Sequence, residues 1–224
     1  MQQLQPSRPS YSKAERVSDG IVHVLGLVLA VAAVPALIIA TAMSRPGSHA
    51  IWGVSIYGGA LLLLLTFSAL NNMVTAQRWA GLLRRLDHSA IYIKIAGTYT
   101  PFLLMSGAQI SAMLAGLWGS AAIGSILKLV NPERFRWLGL ALYLGMGWAV
   151  LVVGGPVFAA LSGPTITLMI AGGVVYTVGV GFFLSERLRF HNTIWHVFVL
   201  AGCVLFYIAV ALCIAGHAAP LSSG

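Results

Sequence analysis

Residues 21–43 read IVHVLGLVLAVAAVPALIIATAM, twenty-three positions without one Asp, Glu, Lys or Arg. A helix of about 20 such residues crosses the hydrocarbon core of a bilayer. Six more apolar stretches follow, at 51–70, 89–106, 110–130, 137–155, 166–184 and 194–216. Backbone in lipid must satisfy its own hydrogen bonds, and no period-2 alternation runs through these stretches, so helices are expected rather than a barrel. The composition agrees: 58% of the 224 residues are hydrophobic and 8% are charged, against about 25% charged in ordinary soluble domains. A disulfide scaffold, a disordered chain and an ordinary soluble enzyme are excluded. The expected fold is all-α: a membrane domain of seven transmembrane helices over 21–216, a polar tail over 1–20 and a short tail over 217–224. The opening residues do not fit a cleavable signal peptide.

A net charge of +8, from 13 Lys and Arg against 5 Asp and Glu, would suggest nucleic acid in a soluble chain. Here its distribution reports orientation. Arg8, Lys13 and Arg16 precede the first stretch. Arg78, Arg84 and Arg85 follow the second, Lys128, Arg134 and Arg136 surround the end of the fourth, and Arg187 and Arg189 follow the sixth. Eleven basic residues thus share one side, leaving Arg45 opposite and Lys94 within the third stretch. The positive-inside rule makes the basic side cytoplasmic. The N-terminus is then inside, the C-terminus is outside, and nucleic acid is not needed as a partner.

Polar residues collect toward the same side. Ser68 and Asn72 are four apart, as are Asn192 and His196, so each pair shares a helix face. Asp87 and Lys94 are seven apart, again on one face. Lys94 is expected to pair with Asp87 or to snorkel to the interface. His23 and His88 stand at similar depth, whereas His191 falls on a different face from His196. Glu15, Asp19, Glu133 and Glu186 read as solvated residues of the tail and links. Gly116, Gly119, Gly124, Gly145, Gly172 and Gly173 read as helix-packing positions. Cys203 and Cys213 read as core, and Trp52, Trp79, Trp137 and Trp195 as an interfacial belt.

The run Asp87-His88-Ser89-Ala90-Ile91-Tyr92, continued by IAGTYTPF over 95–102, closely resembles the signature of the haemolysin III family, the bacterial branch of the progestin and adipoQ receptor group. Glu15-Arg16, His23, Ser68, Gly172-Gly173 with Tyr176, and IWHVFVL over 194–200 extend the resemblance across nearly the whole chain. It implies seven helices with the N-terminus inside. It also implies a cytoplasmic-side zinc, held by a helix-two His and a His-x-x-x-His pair on the last helix, beside a Ser and a helix-three Asp. Three imidazoles leave a fourth zinc position open for a water of lowered pKa.

By that resemblance Ser68 and Asp87 take the catalytic positions and His196 one metal position. Asn72 and Asn192 stand where the other two imidazoles belong, and a carboxamide is a poor zinc donor beside imidazole. The expected centre is therefore a degenerate zinc site, with His23, His88 and Lys94 as further polar groups. A hydrogen-bonded cluster that fixes the bundle is the equal alternative. Three functions follow: a lipid-binding protein of membrane homeostasis, a metal-dependent hydrolase of lipid amides or esters, and the pore-forming cytolysin that the family name implies. The resident topology speaks against the last. Membrane lipids are the expected partners.

Overall fold

In a computed structural model the described residues are 11–45, 48–106 and 111–216, so Arg8 and His217 fall outside them. The described residues form helices and connecting turns, with no strand among them. In chain order these are α1 (Lys13–Ser44), α2 (His49–Met73), α3 (Gln77–Met105), α4 (Ser111–Val130), α5 (Arg136–Val153), α6 (Gly155–Ala159), α7 (Gly163–Leu184) and α8 (His191–Gly216). Seven long helices thus match the seven apolar stretches, and α6 is an addition. Gly154 interrupts the fifth stretch, and Pro156 starts the short helix where its missing N–H is harmless. Five helices, α1, α2, α4, α7 and α8, are long and apolar enough to cross a membrane by length and composition.

Two helices start well before their apolar stretches, α1 by eight residues and α3 by twelve. α1 begins at Lys13 because Ser12 caps it: the Ser12 side chain accepts from the Glu15 N–H and Glu15 accepts from the Ser12 N–H, a reciprocal capping box. α3 begins at Gln77, since the Arg and Leu residues before Asp87 are good helix formers whatever their polarity.

α3 packs against α2, α4, α5 and α8, and α1 packs against both α2 and α8. Residues 96–103 of α3 are buried without a break, which is why it can carry Thr98, Tyr99 and Thr100 where an outer helix carries Val and Leu. Thr98 and Thr100 return their hydroxyls to the Lys94 and Ala96 carbonyls, and Tyr99 donates to the Gly147 carbonyl of α5. The outer faces are apolar instead: Ile21, Val28, Ile39 and Met43 on α1 and Ile123 and Ile126 on α4 are all exposed. An apolar exterior around a partly polar interior is the arrangement a helical membrane bundle needs. Trp52, Trp79 and Trp137 are exposed near helix ends, as the belt requires, while Trp195 is half-buried against Phe183.

Of the six glycines read as packing positions, three do pack. Gly124 lies against the Tyr92 ring, Gly172 against Phe206 and Gly173 against Trp148. Gly116, Gly119 and Gly145 have open space where a Cβ would stand. They lie on outward-facing parts of α4 and α5, a distinction that helix membership alone does not reveal. Among the glycines, Gly97 marks the tightest α2–α3 approach: an added Cβ would stand 2.6 Å from Ala60 Cβ.

α1 and α8 run parallel and in register. Glu15 accepts from the Phe190 N–H, Asp19 meets His196, Tyr207 donates to the Ala33 carbonyl, and Arg45 donates to the Ile214 carbonyl. The end where both helices begin is also where the basic links meet. Arg84 pairs with Glu133 at 2.6 Å and Arg136 with Glu186 at 2.8 Å. Glu133 and Glu186 are thus exposed, as read, and tie neighbouring links together. Lys128 departs from the link reading: it is buried and donates to the Pro132 and Phe135 carbonyls, closing the turn after α4.

Candidate functional site

The basic end of the α1–α8 seam holds a buried polar centre. Its construction starts with the capping box, which leaves Glu15 Oε1 free to accept from the Phe190 N–H at 3.0 Å. Phe190 has φ 62°, a left-handed turn that sends the chain into α8. One turn along, Ser18 bonds Thr193 at 3.1 Å. α1 and α8 are thereby aligned so that Asp19 faces Asn192 and His196.

Asp19 is the hub and is only 7% exposed. Its Oδ1 accepts from His196 Nδ1 at 2.6 Å and its Oδ2 from Asn192 Nδ2 at 3.2 Å. His23, one turn along α1, places Nε2 3.4 Å from Oδ2, and the His23 and His196 rings lie 4.3 Å apart. His23 Nε2 is buried with no hydrogen-bond partner among the described residues. Asn192 also donates to Asn72 Oδ1 at 3.3 Å, and Asn72 donates to the Ser68 carbonyl at 2.9 Å. Tyr11, Glu15, Arg16, Asp19, Asn72 and Asn192 line most of a small cavity of about 30 Å³. That is enough for a water or an ion and far too little for a lipid headgroup. At its rim Tyr11 reaches His191 at 3.4 Å. Burial, then the Asp19 and Glu15 charges, push the Tyr11 phenol above its usual range, so it faces the cavity as a neutral hydroxyl.

The residues singled out in the sequence divide into three places. Asn72, Asn192, His196 and His23 do assemble, with the Ser68 carbonyl attached through Asn72. Asp87 takes a separate partner, accepting from Asn71 Nδ2 at 2.8 Å. His88 follows it on α3 and is half-buried. Lys94 pairs with neither Asp87 nor the interface. It is 4% exposed and donates to the Tyr176 hydroxyl of α7 at 2.6 Å, its ammonium lying 4.3 Å from the Tyr176 ring centroid and 4.9 Å from that of Phe206. The Tyr176 oxygen in turn lies 3.2 Å from Cys203 Sγ.

Asp19 is the residue that sequence reasoning missed, having been placed among solvated tail residues. A signal was present: the buried positions of α1 are Asp19, His23, Gly26, Ala30, Val34, Leu37 and Thr41. That spacing of three and four runs straight back from the apolar stretch into the polar segment.

Residues 11–207 match the family described as haemolysin-III related. The chain belongs to that family. It is 39% identical over 202 residues to hemolysin-3 of Bacillus cereus, covering 87% of this chain and 92% of that protein. It is 30% identical over 165 residues to the monocyte to macrophage differentiation factor of Homo sapiens, covering 69% and 67%. It is 26% identical over 194 residues to the heptahelical transmembrane protein ADIPOR2 of Oryza sativa subsp. japonica, covering 73% and 83%. In this haemolysin-III related chain, the zinc positions implied by the sequence resemblance do not suit zinc. Asn72 and Asn192 are carboxamides already hydrogen-bonded to each other, and only His196 offers an imidazole there.

Proposed function

We propose that this is a resident seven-span protein of the bacterial inner membrane, with its N-terminus inside, which serves membrane-lipid homeostasis through the Asp19 centre at its cytoplasmic end. The observation that carries this reading is the buried Asp19–His23–His196 cluster, an ionisable set at one end of the bundle to which Asn192 donates a hydrogen bond. Such groups are costly in a membrane and mark working sites. Support for seven spans comes from the parallel register of α1 and α8: five long helices lie between them, and two parallel spans need an odd number between. The heptahelical relative agrees. Support for the orientation comes from the basic links gathered at the Asp19 end.

The test is complementation. Lipid composition and membrane order are measured in cells lacking the protein, then in cells given wild type or Asp19→Asn. Wild type is expected to restore both and the variant to fail despite equal membrane levels. Full restoration by Asp19→Asn would remove the basis of the reading.

The water-sized cavity against Asp19 favours a second reading, hydrolysis of a lipid amide or ester, in which the Asp19 carboxylate takes the proton of a water held in that cavity. Release of free fatty acid from amide or ester lipids by purified protein, lost in Asp19→Asn and His196→Gln, is the expected outcome; no turnover of either class excludes it. A cytolysin role, carried by the name of the Bacillus cereus relative, predicts dye leakage from liposomes at low protein-to-lipid ratio. The buried position of the polar centre gives no reason to expect that leakage.

A further inference from the structure

We infer that Asp19, His23 and His196 form a divalent metal site of zinc type, built on α1 and α8 instead of on the positions now held by Asn72 and Asn192. One carboxylate and two imidazoles are a common zinc donor set, with water completing four-coordination. One donor atom from each of the three residues lies within 4.8 Å of the others, and all three residues are buried. His23 supplies an independent sign of a missing ligand. Its Nε2 is buried in a residue 4% exposed and turned toward the Asp19 carboxylate, yet it has no hydrogen-bond partner among the described residues. A cavity of about 30 Å³, large enough for a water, has Asp19 in its wall.

The distances are close to what a metal requires. Zinc with bonds of 2.0–2.2 Å in tetrahedral geometry holds its ligand atoms about 3.3 Å apart. Asp19 Oδ2 and His23 Nε2 are already 3.4 Å apart. Asp19 Oδ1 and His196 Nδ1, at 2.6 Å, share a proton that the metal would displace, and need to open by less than about 1 Å. The two asparagines then acquire a purpose. Asn192 donates to the ligand carboxylate and Asn72 orients Asn192, which are the outer hydrogen bonds that fix a metal ligand in place. This inference rests on the proposal that the Asp19 centre is the working end of the protein.

The experiment uses full-length detergent-purified protein stripped with chelator, then loaded with zinc or cobalt(II) and dialysed. Wild type is expected to retain about one metal per chain, and the cobalt form to show the intense visible bands of a four-coordinate ion with nitrogen and oxygen ligands. His23→Gln, which breaks no hydrogen bond seen here, should lose the metal and the bands while keeping its thermal transition. Asn192→Ala should weaken retention by about 10- to 100-fold. Wild type that takes up neither ion, or His23→Gln that retains it undiminished, overturns the site. The complementation experiment separates the two proposals. Metal uptake with no lipid effect overturns the function and leaves the site standing; a lipid effect without metal uptake does the reverse.

Discussion

Asp19→Ala is the perturbation that separates a structural hub from a solvated tail residue. The substitution removes the acceptor of the 2.6 Å bond from His196 Nδ1 and of the 3.2 Å bond from Asn192 Nδ2. It also leaves His23 Nε2 without the carboxylate oxygen 3.4 Å away. A buried polar group stripped of its partner costs about 1–3 kcal/mol. His196 is buried and belongs in the upper part of that range; Asn192 is half-buried and belongs in the lower. Together they give about 3–4 kcal/mol, in line with the loss of one partner of a buried pair. A solvated residue would cost less than about 0.5 kcal/mol. The assay is equilibrium unfolding in mixed micelles of detergent and dodecyl sulfate, followed by far-ultraviolet circular dichroism. The double variant with His196→Ala should cost less than the sum of the singles by about 1–2 kcal/mol, because the two residues share one interaction. A single-variant change under about 0.5 kcal/mol, or strict additivity, would refute the hub.

Other substitutions test the packing by the same unfolding assay. Gly97→Ala puts a Cβ 2.6 Å from Ala60 Cβ, so α2 and α3 must separate, at about 1–3 kcal/mol. Gly119→Ala meets nothing within 4 Å and should raise stability by up to about 1 kcal/mol; a loss there would mean that α4 has a neighbour on that face. Tyr176→Phe takes the oxygen from Lys94 and should cost about 1–3 kcal/mol. Lys94→Met removes the cation itself and should be neutral or stabilising. Arg84→Ala and Arg136→Ala break half-exposed ion pairs and should each cost under about 1 kcal/mol, with the difference from wild type shrinking in high salt.

What could be read from sequence, and what could not, follows from the range of each interaction. Apolar length is a local property, so every long helix was visible, and the sidedness of the Lys and Arg residues was visible with it. Hydropathy alone starts the first helix at Ile21, although the buried stripe continues through His23 to Asp19 at unchanged spacing. That error hid the hub. The pairing of Lys94 failed for a different reason. Seven residues put Asp87 and Lys94 on one face, but at about 1.5 Å per residue they lie about 10 Å apart along the axis. The nearer oxygen came from Tyr176 on α7, a long-range contact that no spacing on α3 can show. Glycines on α4 and α5 divided between packed and open positions by the direction each face takes in the bundle. The asparagines at 72 and 192 stand out in the sequence as departures, while the donation of Asn192 to Asp19 and to Asn72 needed the register of α1 against α8.

The central claim is that the working centre is organised on Asp19 and not on Asp87. An anomalous-difference map at the zinc edge, from crystals of the full-length protein grown with equimolar zinc, tests it most directly. The predicted result is one strong peak within bonding distance of Asp19, His23 and His196. A peak beside Asp87 and His88, with none near Asp19, would contradict the account.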